Sequence, residues 1–177
     1  MTLLVSSPCV AQRPLAGEWT LDKSRSELSG RMRSNAASIS QTLRIVADTA
    51  LVCVVTSTTG GPLGNNETTE RIVIDTVTRS FQPIERADSR ASTGTRSAKW
   101  WPDALQLVVK ETITREMSGQ RVFATNTHTW TLSKDTDTLV VVTNTQGPRG
   151  SIPTRRQFVR AKSVRTDIKP ASCLSRN

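Results

Sequence analysis

The chain of 177 residues contains no tyrosine, three phenylalanines, a single histidine and three cysteines. Such a chain has few aromatic rings on which the bases of a nucleic acid could stack. One histidine and the lack of a Cys-x-x-Cys pair leave too few ligands for a typical zinc site. No apolar run approaches the ~20 residues that a membrane-spanning helix needs. We therefore expect no metal, no other cofactor and no nucleic-acid partner.

The residues that are abundant are threonine, with 25 copies, and valine, with 16 copies. Both are β-branched and fit strands better than helices. The hydrophobic fraction is 36%, below the ~45–50% of typical globular chains, as expected for strands that give only alternate positions to a core. A chain of this length corresponds to one domain. The composition predicts a single all-β domain, and we expect a monomer.

The formal net charge of +9 comes from 24 lysines and arginines against 15 acidic residues. The basic residues are scattered along the chain, with a denser stretch only from Arg155 to the C-terminus. A basic surface attracts anionic polymers and lipids. We therefore expect at most a weak contact with an anionic envelope surface.

The two ends of the chain differ in composition from its centre. Residues 1–11 carry a short apolar stretch and then small residues at positions −3 and −1 of a cleavage point, a pattern typical of a truncated secretory signal peptide. Residues 163–177 are polar and basic, which is typical of a flexible tail. The single predicted domain therefore covers residues 12–162.

Two cysteines, Cys53 and Cys173, lie outside the signal-like segment. In an oxidising compartment they could form a disulfide bond that tethers the tail. The alternative is that Cys53 is a buried thiol inside an apolar strand and that Cys173 is a free thiol in the tail. The sequence leaves both alternatives open.

A strand–turn–strand unit recurs along the chain. Residues 51–64 resemble residues 139–150, and each segment ends in a Gly-Pro-x-Gly turn. Residues 77–89 are predicted as a turn region. Sequential hairpins favour an antiparallel up-and-down β-barrel of about 8–10 strands, because a closed meander leaves no exposed edge. Alternation and turn residues place strands near 16–22, 38–47, 50–59, 67–76, 90–101, 104–116, 120–133, 137–146 and 154–162.

The two-residue turn Ser118-Gly119 fixes the register of one predicted hairpin. Counting back from this turn pairs each residue of one strand with a residue of the other. The alternate positions that are mostly apolar then lie on the same face of both strands, and we predict that this face points inward. In this register an apolar floor lies below a polar section, and an unpaired polar group there costs about 1–3 kcal/mol. A ligand, water molecules or the polar groups themselves can supply the missing partners. The predicted ligand-binding residues are Glu111, Asn126, His128, Trp130 and Thr143.

The segment Gly17-Glu-Trp-Thr-Leu-Asp-Lys-Ser24 begins in the first predicted strand, and the last predicted strand contains Phe158-Val159-Arg160. Over residues 15–162 this order of motifs resembles the bacterial secreted lipocalin-like proteins, which are calycin-type β-barrels. The resemblance implies that Gly17, Trp19 and Arg160 close one end of the barrel. There the guanidinium stacks on the indole ring, a contact of about 0.5–2 kcal/mol. It also implies a periplasmic or secreted bacterial protein.

The lipocalin-like resemblance implies a function as well, the binding of a small hydrophobic or amphipathic ligand inside the barrel. The graded interior is compatible with this function. Two alternatives stay open at this point. The interior can be a filled polar core in a barrel that acts as an interaction module for anionic envelope components. Alternatively, Glu111 and His128 can serve as the acid and base of a small barrel enzyme.

Overall fold

The computed structural model describes residues 14–28, 37–61, 64–83, 93–117, 120–148 and 150–162. The predicted signal-like segment and tail lie outside these residues. Within them the chain forms one 3-10 turn at Lys23–Arg25 and ten strands. The strands are β1 (Gly17–Asp22), β2 (Ser40–Ala47), β3 (Leu51–Gly61), β4 (Gly64–Val73), β5 (Asp75–Phe81), β6 (Thr93–Trp101), β7 (Gln106–Met117), β8 (Gln120–Leu132), β9 (Thr138–Gly147) and β10 (Gly150–Arg160).

All ten strands belong to one antiparallel sheet. Its order runs from β4 back to β1, continues to β10, and then runs back to β5. The first and last strands therefore pair with each other. Strands β4 and β5 lie at the two ends of the sheet order and are not hydrogen-bonded neighbours. The result is a nearly closed up-and-down barrel with one seam, and the predicted all-β barrel is confirmed.

The alternation of side chains along β2 shows how these residues build a barrel wall. Leu43, Ile45 and Ala47 are buried at alternate positions, and the residues between them are partly exposed. The period of two matches the alternation of side chains across a strand. Trp19 and Phe158 are the largest fully buried side chains of the resulting core.

Strand β5 corrects the predicted turn region over residues 77–89. The chain does not turn until after Phe81, so the described barrel has ten strands where nine were predicted. Most residues of β5 are exposed, because it is an end strand of the sheet and pairs only with β6. A strand without a buried face lacks the alternation on which the prediction depended.

Two further features of the described residues concern a cysteine and the length of the helices. Cys53 is buried and disulfide-bonded, so the alternative of a free buried thiol at this position is wrong. Cys173, the partner in the disulfide alternative, lies outside the described residues. Among the described ranges, no helix is long and apolar enough to span a membrane.

Candidate functional site

The inner wall of β7, β8 and β9 carries the five residues predicted to bind a ligand. Glu111 lies opposite Asn126, and His128 lies opposite Thr143. Trp130 lies opposite Leu107 and Val141. These pairings confirm the register that was predicted from the two-residue turn. Their alternate positions place all five on one inner surface, whereas their role in ligand binding stays a prediction.

Hydrogen bonds join three of these side chains into a chain across the wall. The Nδ1 atom of His128 lies 3.0 Å from the Thr143 hydroxyl oxygen, and its Nε2 atom lies 3.3 Å from Glu111 Oε2. An ionised carboxylate only accepts hydrogen bonds, so Nε2–H donates to Glu111. In the neutral imidazole, Nδ1 then accepts the proton of Thr143.

Arg96 extends this chain across the seam of the barrel. From β6 its guanidinium donates to Glu111 Oε1 at 2.7 Å and to Glu70 Oε1 on β4 at 3.0 Å. It also donates to the main-chain carbonyl of Arg71 at 3.2 Å. Strands β4 and β6 are not paired in the sheet. Arg96 therefore links, through its side chain, two parts of the wall that the main chain leaves apart.

Glu111 is ionised in this wall. Burial alone raises the pKa of its carboxyl, but the hydrogen bond from His128 and the charge of Arg96 outweigh that effect. The net result is that the pKa of Glu111 lies below its ordinary value of 4.5. A buried carboxylate in this state holds the imidazole of His128 in one orientation.

A second polar cluster lies on the inner faces of β10, β2 and β3. Arg156 occupies an alternate position with Phe158 on β10 and lies opposite Val141. Its Nη1 donates to Gln41 Oε1 at 3.2 Å, and Gln41 in turn donates to the Thr58 hydroxyl. Burial lowers the pKa of Arg156. No carboxylate of the described residues forms an ion pair with it.

Two further donors on β8 face the same interior. The indole Nε1 of Trp130 is buried and has no hydrogen-bond partner in the described part of the chain. The Asn126 side chain lies two positions before His128 and is partly exposed. The inner wall therefore offers N–H groups from Trp130, Asn126 and Arg156, and these groups suit a ligand that carries acceptor oxygens.

The inner face is dry near one end of the barrel and accessible to water further along. Leu107, Val109 and Leu139 are fully buried. By contrast, the His128 side chain is 26% exposed, and Thr143 is partly exposed. Since these side chains point inward, water reaches them from the barrel interior. This exposure favours a pocket over a completely filled polar core.

The residues predicted to close the barrel lie together at its dry end. The Arg160 guanidinium lies 4.2 Å from the centre of the Trp19 ring. It donates to the carbonyls of Pro14, Ala16 and Thr136 at 2.8–2.9 Å. At Gly17, where φ is +137°, an added Cβ would lie only 2.6 Å from Arg160 Nη1. These contacts join the start of β1, the end of β10 and the β8–β9 turn.

Some polar residues of the interior were absent from the sequence-based prediction, among them Gln41, Glu70, Arg96 and Arg156. A signal existed for two of them. Arg96 alternates with the buried residues Gly94 and Ala98, and Arg156 alternates with Phe158. Following alternate positions along β6 and β10 would have placed both arginines inside.

Comparisons with known proteins agree with this geometry. No family model matches the chain, and no curated protein matches it. A structure of the REP1-NXSQ fatty acid transporter matches with a TM-score of 0.52 and 15% identity, covering 84% of this chain and 97% of that chain. A structure of the zebrafish ileal bile acid-binding protein complexed with cholic acid matches with a TM-score of 0.53 and 10% identity, covering 84% and 99%. These similarities show the fold alone, an antiparallel up-and-down β-barrel.

Proposed function

We propose that the barrel binds a small amphipathic carboxylate and holds its anionic group on Arg156. The observation that carries this proposal is a partly buried guanidinium on the inner wall that forms no ion pair within the described ranges. A charge removed from water with no opposite charge beside it is costly. A carboxylate is the partner that a guanidinium fits best, because two parallel N–H groups can bind its two oxygens.

The surroundings of Arg156 support an amphipathic ligand over a purely polar one. Val141 lies directly opposite it, and Trp130 lies opposite Val141 on the next strand. Apolar side chains thus lie beside the guanidinium on the same inner surface. The names of the two similar structures mention fatty acid and cholic acid, both of which are carboxylates on apolar skeletons. That agreement supports the same class of ligand here.

Replacing Arg156 with methionine tests the proposal. A hydrogen bond to a charged group contributes about 1.5–3 kcal/mol. We therefore expect the Kd for laurate or cholate to rise about 10- to 100-fold. Isothermal titration calorimetry measures the change, with dodecanol as the neutral analogue of laurate. The methionine variant should bind dodecanol about as well as the unmodified protein does.

The adjacent Arg155 offers a matched control. It points to the outer face, where it donates to the carbonyl of Arg25. Arg155→Met should leave the Kd for laurate unchanged. Equal affinities of the Arg155→Met and Arg156→Met variants for laurate would refute the proposed anchor. The proposed anchor would also be refuted if the unmodified protein bound dodecanol as tightly as laurate.

We also propose that the protein works in an oxidising compartment, such as the periplasm or the extracellular space. The disulfide-bonded state of Cys53 supports this, since such bonds persist where the environment is oxidising. In protein prepared from an oxidising compartment, alkylation without reductant should leave Cys53 unlabelled. Reduction under denaturing conditions should make it reactive. Labelling of Cys53 before reduction would contradict the proposal.

Several other expectations from the sequence stay predictions. They are the limits of the domain at residues 12 and 162, the monomeric state and the weak contact with an anionic envelope surface. The lack of a nucleic-acid partner, of a metal and of any other cofactor stays a prediction too, as do the lipocalin-specific part of the resemblance and the bacterial origin.

A further inference from the structure

The hydrogen-bonded chain in the barrel wall has the order hydroxyl, imidazole, carboxylate. Thr143 Oγ1 lies 3.0 Å from His128 Nδ1, and Glu111 Oε2 lies 3.3 Å from Nε2 on the other side of the ring. This is the arrangement of a nucleophile, its general base and the group that orients the base. Arg96 fixes Glu111 through its other oxygen, Oε1, so the carboxylate keeps Oε2 free for His128.

Besides its base His128, Thr143 has two neighbours that can donate hydrogen bonds to a developing negative charge, Asn126 and Arg156. His128 is directly opposite it on β8, and Asn126 is diagonal to it on the same strand. On the other side, β10 places Arg156 diagonal to Thr143. Diagonal neighbours in a sheet are about 7–8 Å apart, within reach of long side chains. The amide of Asn126 and the guanidinium of Arg156 can thus approach a carbonyl oxygen bound at Thr143, as catalytic oxyanion donors do.

Exposure to water differs among the four side chains of this hydrogen-bonded series, and a reactive group has to be accessible to its substrate. Glu111 and Arg96 have side chains that are 9% and 10% exposed, so the orienting pair is held away from water. The His128 side chain is 26% exposed, and Thr143 is partly exposed. The base and the hydroxyl are therefore the members that an entering molecule can reach.

We propose that this cluster is an acyl-transfer site that hydrolyses small carboxylic esters. Thr143 Oγ1 attacks the ester carbonyl carbon while its proton passes to His128 Nδ1. The carbon–oxygen bond to the alcohol breaks, the leaving alcohol takes the proton from His128, and Thr143 carries the acyl group. Water then attacks this acyl ester and gives its proton to His128. Release of the carboxylic acid returns that proton to Thr143. The proposal rests on the proposed function in one respect, the entry of small amphipathic molecules into the interior.

Hydrolysis of p-nitrophenyl acetate and p-nitrophenyl butyrate provides the test. His128 is the only histidine of the chain, so imidazole-dependent hydrolysis can be assigned to it. We expect His128→Gln and Thr143→Val to lower kcat/KM at least ~100-fold, the lower range for a general base. Thr143→Ser, which keeps the hydroxyl, should retain activity. Thr127→Val, on the outer face of β8, is the matched control and should match the unmodified protein. Unfolding midpoints check that each variant is folded.

Two further measurements separate a catalytic chain from a merely structural one. Acid-quenched samples should carry one acyl group on Thr143, detected by mass spectrometry of peptides. Glu111→Gln, which changes the positioning of His128, should lower kcat far more than it changes KM and should alter the pH profile of kcat. Hydrolysis that is equal in the unmodified protein, His128→Gln and Thr143→Val, or acylation only at lysines, would overturn the proposal. Laurate binding by the same samples tests the proposed function separately.

Discussion

Replacing Arg96 with methionine is expected to lower the free energy of unfolding by about 3–5 kcal/mol at neutral pH, the usual cost of removing one partner of a buried ion pair. The guanidinium is 10% exposed and holds both Glu70 and Glu111. Without it, the Glu111 carboxylate stays in a dry wall with His128 as its remaining side-chain partner. The seam also loses its link to β4. Urea unfolding followed by tryptophan fluorescence measures this loss.

Arg79 provides the matched control for the Arg96 substitution. It also pairs with a carboxylate, that of Asp75, but it is 56% exposed. Exposed ion pairs contribute at most about 1 kcal/mol, so Arg79→Met should have a small effect. The double variant Arg96→Met/Glu111→Met should be more stable than Arg96→Met alone, because no buried charge is left unpaired. Equal losses for Arg79→Met and Arg96→Met would show that the wall pair does not stabilise the fold.

The cost of the Arg96 substitution should also depend on pH. The pKa of Glu111 in the folded protein lies below its ordinary value of 4.5. The stability that comes from this lowered pKa is present above about pH 4.5 and is lost as the pH falls through the folded pKa. Removal of Arg96 takes away part of the effect that lowers the pKa of Glu111. The difference in the free energy of unfolding between the two proteins should therefore shrink as the pH falls below about 4.5.

The inner wall of β7–β9 could be predicted from sequence because a short turn fixes its register. Once Ser118-Gly119 is taken as a two-residue turn, the partner of every residue in the hairpin follows by counting. The next hairpin then places Thr143 opposite His128. What counting cannot supply is the rotamer of each side chain. The bonds from His128 to Glu111 and Thr143 therefore became visible only in the structure.

The interior arginines illustrate a different limit of sequence reading. Arg155 and Arg156 are consecutive, so one of them must face inward and the other outward, and both are equally polar. Only the phase set by the buried Phe158 decides between them. Arg96 is a similar case, because only the phase of the small buried residues Gly94 and Ala98 on β6 shows that it faces inward. The bond between Arg96 and Glu70 also crosses a seam that no hairpin rule describes.

Replacing Trp19 with alanine is expected to destabilise the barrel by about 3–5 kcal/mol. The ring is fully buried, and its Nε1 donates to the carbonyl of Leu15 at 3.0 Å. Its removal leaves a cavity, and it also uncovers the Arg160 guanidinium that lies over the ring. Guanidinium chloride unfolding followed by circular dichroism measures the loss without relying on the deleted fluorophore.

Trp101 is the matched control for Trp19 because it has the same side chain in the opposite environment. It is 47% exposed, and the ammonium of Lys99 lies 3.7 Å from its ring centre. An exposed contact of this kind contributes about 0.5–1 kcal/mol, so Trp101→Ala should cost little. Trp19→Phe should lie between the two, because it keeps a ring beneath Arg160 but leaves the Leu15 carbonyl without its donor. Similar small losses for Trp19→Ala and Trp101→Ala would mean that the closed end is held by the carbonyl bonds of Arg160 rather than by packing on Trp19.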